Sequence, residues 1–108
     1  MPSYSKFDVV LVRYPFSDRS STKVRPAVVI NNPHSSRDLF VVPLTSQVWN
    51  LLFGEFVLND WREAGLNVPS AVKRGLYTVH ERLIVKSIGN LSERDAQEVQ
   101  NSLEKWLN

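Results

Sequence analysis

The sequence predicts a mainly β fold, a small, strongly bent sheet or barrel capped by one C-terminal helix. Two observations predict it. Short runs of valine, leucine, isoleucine and aromatic residues recur from Phe7 to about Asn90, each bounded by proline, glycine, serine or asparagine, the punctuation of strands and turns. Only after Ser92 does the pattern change to helical spacing, with Ala96, Val99, Leu103 and Trp106, together with Leu107, on one face. The 108 residues are 43% hydrophobic and contain no repeat or low-complexity tract, which suits one domain spanning 1–108 with its own core.

Residues 7–14 are valine-rich and form the first predicted strand, ended by Pro15. Residues 16–23 are a polar loop of serine, threonine and charge. Strand two, 24–31, is almost continuously apolar and is expected to be buried on both faces. At its root stands Arg25-Pro26. The proline fixes its own φ and pushes Arg25 into an extended conformation, which sets a guanidinium on stiff backbone where loop becomes sheet. A turn cluster at 31–36 leads to strand three at 39–44, where Pro43 signals a bulge or an edge. The following loop carries Trp49, Leu51, Leu52 and Phe53, which are either partly buried or a binding surface.

Residues 55–58 read as a fourth strand and 60–65 as a helical turn stopped by Gly65. Two short strands follow at 70–73 and 76–79. In 80–90, Leu83-Ile84-Val85 suits either a strand or a short helical turn. Ser92 then caps the final helix, with Asp95 as the shorter analogue of a capping-box acid. A helix of about fifteen residues is marginal alone, so its apolar face must dock on the sheet. Loss of the Ser92 cap should cost about 1 kcal/mol.

Composition narrows the chemistry. With no cysteine, disulfides, thiolate metal sites and a cysteine nucleophile are excluded. The N-terminus has no apolar signal-peptide core and no run approaches membrane-spanning length, so a cytoplasmic location without membrane association is expected. Only His34 and His80 are present, which rules out a multi-histidine metal site and speaks against a histidine acid/base pair. No metal and no cofactor are expected; glycine-rich phosphate loops, nucleophile elbows and zinc motifs are absent. The net charge of +2 is small, but its distribution is uneven. Arg13, Arg19, Lys23, Arg25 and Arg37 face only Asp18 within 13–37, residues 61–90 add Arg62, Lys73, Arg74, Arg82 and Lys86 against Glu63 and Glu81, and the tail after Leu91 is net acidic. A phosphate-attracting face over the sheet and its loops follows.

A hydroxyl and a guanidinium are the groups left to do chemistry. Arg25 opens strand two and Thr45 closes strand three; if the two strands are antiparallel neighbours, both side chains reach one sheet edge. That pair suits phosphodiester chemistry. The guanidinium can pair bidentately with phosphate oxygens and stabilise charge that grows in the transition state, and the threonine hydroxyl can orient the phosphate or help pass a proton.

Asp8 to Val12 with Tyr14-Pro15-Phe16-Ser17-Asp18, Lys23-Val24-Arg25-Pro26-Ala27-Val28-Val29-Ile30 and Val42-Pro43-Leu44-Thr45-Ser46 together resemble the MazF/PemK family of toxin endoribonucleases. Ala64-Gly65-Leu66, Pro69 to Val72 and Ile88 to Ser92 extend the resemblance, in order, over almost the whole chain. It implies an SH3-like barrel that forms a homodimer and is held inactive by a cognate antitoxin, with DNA bound only through the toxin–antitoxin complex. It also implies metal-independent cleavage of single-stranded RNA, in which the 2′-hydroxyl attacks the adjacent phosphate to leave a 2′,3′-cyclic phosphate and a 5′-hydroxyl. The family's arginine before the strand-two proline falls on Arg25, as acid/base or transition-state stabiliser, and its threonine after strand three falls on Thr45. The loops 16–23 and 46–54 match those that flank the family's RNA groove, which makes Arg19, Lys23, Ser46 and Gln47 candidate RNA-binding residues. Ser70, Lys73 and Arg74 stand where some members carry an extra catalytic or binding group; without a carboxylate there, Lys73 and Arg74 suit RNA binding rather than proton transfer. Phe16 and Trp49 either stack on unpaired bases, worth roughly 1–3 kcal/mol per base, or pack into the barrel or against the antitoxin.

Two other functions fit the same residues: a toxin of this fold that binds DNA gyrase without chemistry, and an inactive relic that binds RNA or its antitoxin. Retention of both Arg25 and Thr45 in matching context argues against the first.

Overall fold

A computed structural model describes residues 4–14, 23–32 and 37–108. Among these residues the chain forms β1 (Asp8–Tyr14), β2 (Lys23–Val29), β3 (Asp38–Thr45), β4 (Phe56–Val57), β5 (Ala71–Val72), β6 (Tyr77–His80), a 3₁₀ turn (Glu81–Leu83), β7 (Ile84–Asn90) and α1 (Glu93–Leu107). The seven strands make one antiparallel sheet in the order β4-β5-β3-β2-β1-β7, with β6 also pairing β3. The expected mainly β fold with one C-terminal helix is what forms.

The bend has identifiable causes. β3 pairs β6 through Val41↔Tyr77 and then β5 from Leu44↔Val72, and Pro43 stands at the changeover. The β1/β7 ladder shifts register between Val9 and Val10 and again between Leu11 and Val12, and such bulges sharpen local twist. The path β6-β3-β2-β1-β7 therefore curls around an inner cluster of Val10, Val12, Ala27, Val29, Leu39, Val41, Val79 and Ile84. The 3₁₀ turn joins β6 to β7 covalently, while among the described residues the ladders stop short of hydrogen-bonded closure. His80 caps that turn, its Nδ1 accepting the backbone N–H of Arg82 at 3.1 Å. The ambiguous stretch 80–90 is thus a short turn followed by a strand.

The other sheet face carries Val9, Val28 and Val42, which α1 and the segment after β4 cover with Val99, Leu58 and Ala64. Period-two alternation along β1 and β2 divides these valines between the two clusters. Residues 60–65 make the expected turn, closed by the N–H of Gly65 to Arg62 O and of Leu66 to Trp61 O, with Gly65 at φ +86°. On α1, Ala96, Val99, Leu103 and Trp106 pack as predicted, whereas Leu107 is exposed. Strand two also departs from expectation. Ala27, Val28 and Val29 are fully buried, but Lys23, Val24 and Arg25 are exposed because the β2/β3 pairing begins only at Ala27↔Pro43. No helix of the described residues is long and apolar enough to cross a membrane.

Candidate nucleic-acid interface

Four strand termini meet at one end of the curled sheet: the last residue of β1, the first of β2, the last of β3 and the first of β6. They enclose a groove of about 950 Å³ whose lining includes Arg25, Thr45, Lys23, Lys73, Lys86 and Tyr77. Antiparallel register explains the meeting. The β2/β3 pairs Ala27↔Pro43 and Val28↔Val42, carried two residues past the end of the ladder, set Arg25 opposite Thr45. On its other side Arg25 pairs with Val12 of β1, so its backbone is held by the sheet while its side chain is exposed. Among the described residues the Arg25 guanidinium makes no ion pair.

Thr45 is half-buried, and its Oγ1 accepts the backbone N–H of Gln47 at 3.1 Å. That contact fixes the hydroxyl oxygen and leaves its O–H to donate. Ser46 and Gln47 leave β3 along the same wall. Lys73 is placed by its backbone N–H, which donates to Pro43 O at 2.9 Å. Ser70 is buried, with Oγ–H donating to Val68 O at 3.0 Å, so its hydroxyl braces the wall segment 65–68. The charge pattern is one-sided. Lys23, Arg25, Lys73 and Lys86 line the groove and no described carboxylate does, so its field favours an anion.

Not every sequence candidate converges here. Trp49 is 60% exposed and does not line the groove. Arg74 lines a smaller groove beside Phe53, Leu76 and Trp106. Its backbone N–H donates to Glu55 Oε2 at 2.8 Å. Burial alone would raise the Glu55 carboxyl, but the N–H groups of Arg74 and Leu52 and the charges of Lys73 and Arg74 outweigh it and hold the acid below its ordinary value. Phe16, Arg19 and His34 lie outside the described residues.

Sequence reasoning did not single out Tyr14 or Tyr77, and it counted Lys86 only among the positive charges of residues 61–90. Tyr14 and Tyr77 meet edge to face with ring centroids 6.3 Å apart in the groove wall. Burial, and then the neighbouring Tyr77, push the Tyr14 phenol above its ordinary value, so it stays neutral. Lys86 pairs with Leu11 across β1/β7. The available signal was the polar pair Lys86-Ser87 set between Ile84-Val85 and Ile88.

Comparison with known proteins agrees with this architecture. The family described as PemK-like, MazF-like toxin of type II toxin–antitoxin system matches residues 5–107. Among solved structures, the Mycobacterium tuberculosis toxin MazF-mt6 is 20% identical over 93% of this chain and 95% of its own, with a TM-score of 0.72. MazE-MazF from Deinococcus radiodurans is 14% identical over 99% and 97%, with a TM-score of 0.80. An endoribonuclease in complex with its cognate antitoxin from Mycobacterial species is 10% identical over 97% and 95%, with a TM-score of 0.78. At these identities the structures share the fold. No curated protein sequence matches significantly.

Proposed function

The chain belongs to the PemK-like, MazF-like toxin family of type II toxin–antitoxin systems, and from that premise we propose that it is a metal-independent endoribonuclease acting on single-stranded RNA. The observation that carries this is the convergence of Arg25 and Thr45 in one groove whose described lining holds four cations and no carboxylate. A polyanion is drawn to such a surface, and a guanidinium on stiff backbone is preorganised for a phosphate.

In the reaction the RNA supplies its own nucleophile. The 2′-oxygen bonds to phosphorus, the P–O5′ bond breaks, the 2′-hydroxyl proton is lost and the departing 5′-oxygen gains one. The products are a 2′,3′-cyclic phosphate and a 5′-hydroxyl. Arg25 pairs with the non-bridging oxygens and stabilises the charge that grows on them. The Thr45 hydroxyl, held by Gln47, donates to the phosphate or helps pass the proton. Lys23, Lys73 and Lys86 hold neighbouring phosphates, and the exposed Tyr77 ring offers a face for an unpaired base.

Antitoxin binding and homodimerisation belong to the same proposal. The solved relatives named as complexes with MazE or a cognate antitoxin support the first. Exposed Trp49, Leu52, Phe53, Leu76 and Leu107 offer apolar surface for a partner chain.

The test is cleavage of single-stranded RNA in excess EDTA by wild type, Arg25→Ala and Thr45→Ala purified in parallel, with analysis of the new ends. Wild type should cut at defined sites, leaving cyclic phosphates, and Arg25→Ala should lose about 10²-fold or more. Equal cleavage by all three preparations would mean contamination and overturn the proposal, leaving a gyrase binder or an inactive relic.

A further inference from the structure

We propose that bound RNA does not end at the Arg25/Thr45 groove but continues over Lys86 into a second basic groove at the β6–β7 junction, which holds nucleotides flanking the scissile phosphate. This rests on the endoribonuclease function proposed above and assigns that function a longer substrate.

The second groove, about 850 Å³, is lined by residues including Arg37, Arg82, Lys86, Glu81, His80 and Tyr4. Lys86 lines both grooves, so they adjoin along β7 and one strand of nucleic acid can touch both. Three cations face one carboxylate in the second groove. The Glu81 charge is already compensated, with Oε1 3.5 Å from Arg37 Nη1, so Arg82 and Lys86 carry its surplus positive charge. Across the two grooves the described lining thus carries six cations, Lys23, Arg25, Arg37, Lys73, Arg82 and Lys86, against one ion-paired acid.

His80 adds a directed donor. Its Nδ1 accepts the backbone N–H of Arg82, so the neutral ring carries its proton on Nε2 and can give it to a phosphate oxygen. The half-buried Tyr4 and the exposed Val85 supply apolar surface between these polar groups. Single-stranded sites on OB-fold barrels span about 4–16 nucleotides, so a bound strand can reach beyond the Arg25/Thr45 corner. Charge complementarity along a track longer than that corner selects a polyanionic strand as its occupant.

The experiment measures fluorescence anisotropy of 2′-O-methyl oligoribonucleotides, which lack the attacking hydroxyl, at lengths of about 5 and about 12 nucleotides. Wild type should bind the longer about tenfold more tightly. Arg82→Ala should weaken the longer probe about three- to tenfold and reduce its salt slope by about 0.7, the loss of one phosphate contact on a single strand. The shorter probe should bind unchanged, and Arg82→Lys should restore most of the loss. Arg82 is exposed, so each variant should unfold at the wild-type temperature. Length-independent binding, or an Arg82→Ala effect equal on both probes, would overturn the second groove; if wild type still cleaves RNA with Arg25 dependence, the endoribonuclease function stands. Absence of both binding and cleavage would sink the two together.

Discussion

The buried carboxylate of Asp95, in the first turn of α1, accepts the backbone N–H of Asn59 at 2.9 Å. It also takes the Asn59 side-chain amide at 3.0 Å and the N–H of Asp60 at 2.8 Å. One acid therefore ties the chain leaving β4 to the helix, and the same loop runs on into the wall of the candidate groove. Asp95→Ala should strand these donors and cost about 3 kcal/mol, a fall in melting temperature of about 15 °C for a chain of this size. Urea titration should show a lower midpoint at unchanged slope. A wild-type midpoint would show that the loop is held by something else.

Acid should act through Asp60. Hydrogen bonds from Arg94 at 2.7 and 2.8 Å, then the Ser92 hydroxyl at 2.6 Å, hold its carboxyl at about 2 against an ordinary 3.8. The folded value lies below the unfolded one, so the stabilisation is fully present above pH 3.8 and is lost as pH falls through about 2. Melting temperature followed across that window should fall for wild type and flatten for Asp60→Asn. Parallel acid limbs would assign the acid sensitivity to other carboxylates.

What the sequence made legible was local. The docking face of α1 and its Ser92 cap are periodic and need no tertiary information. Arg25-Pro26 announced itself through backbone stiffness, and Thr45 through its place at a strand end. The parts that stayed hidden depend on which strands become neighbours. Strand two reads as buried throughout, yet its first half has no β3 partner and opens to solvent. Asp95 reads as half of a capping box, but its carboxylate turns to a loop 36 residues away in sequence. Lys86 joins the groove only because β7 lies beside β1. The two-residue strands β4 and β5 are too short to carry a period. The bent sheet was anticipated from the recurring short strands, whereas its MazF/PemK type was anticipated only from the ordered family motifs.

Gly65 is a backbone requirement. Its φ of +86° disfavours any side chain, and an added Cβ would overlap the carbonyl of Ile88 on β7. Gly65→Ala should cost about 3 kcal/mol through strain and displaced packing. The change should also weaken RNA cleavage below the melting temperature, since residues 65–68 wall the groove. Wild-type stability would show that the segment can lift from β7 without penalty.

Thr45 separates positioning from chemistry. Thr45→Val keeps the side-chain shape but removes the hydroxyl and the acceptor for the Gln47 N–H. A group that acts on the phosphate in the transition state should lose about 10–10²-fold in kcat with little change in KM. Thr45→Ser should retain most activity. A rise in KM at constant kcat would assign Thr45 to binding alone.

The groove's charge sets a salt dependence that can be read directly. If Lys23, Arg25, Lys73 and Lys86 each neutralise one phosphate, a single strand confined to this groove should bind with a log–log salt slope of about −3, from about 0.7 per contact. Alanine at Lys23 or Lys73 should reduce the slope by about 0.7 while leaving the choice of cleavage site unchanged, because phosphate contacts position a strand and base contacts select its sequence. Anisotropy titrations with a short 2′-O-methyl oligonucleotide at several salt concentrations provide the measurement. A slope near zero would mean that these cations do not face phosphates, and would remove the electrostatic basis for RNA binding in this groove.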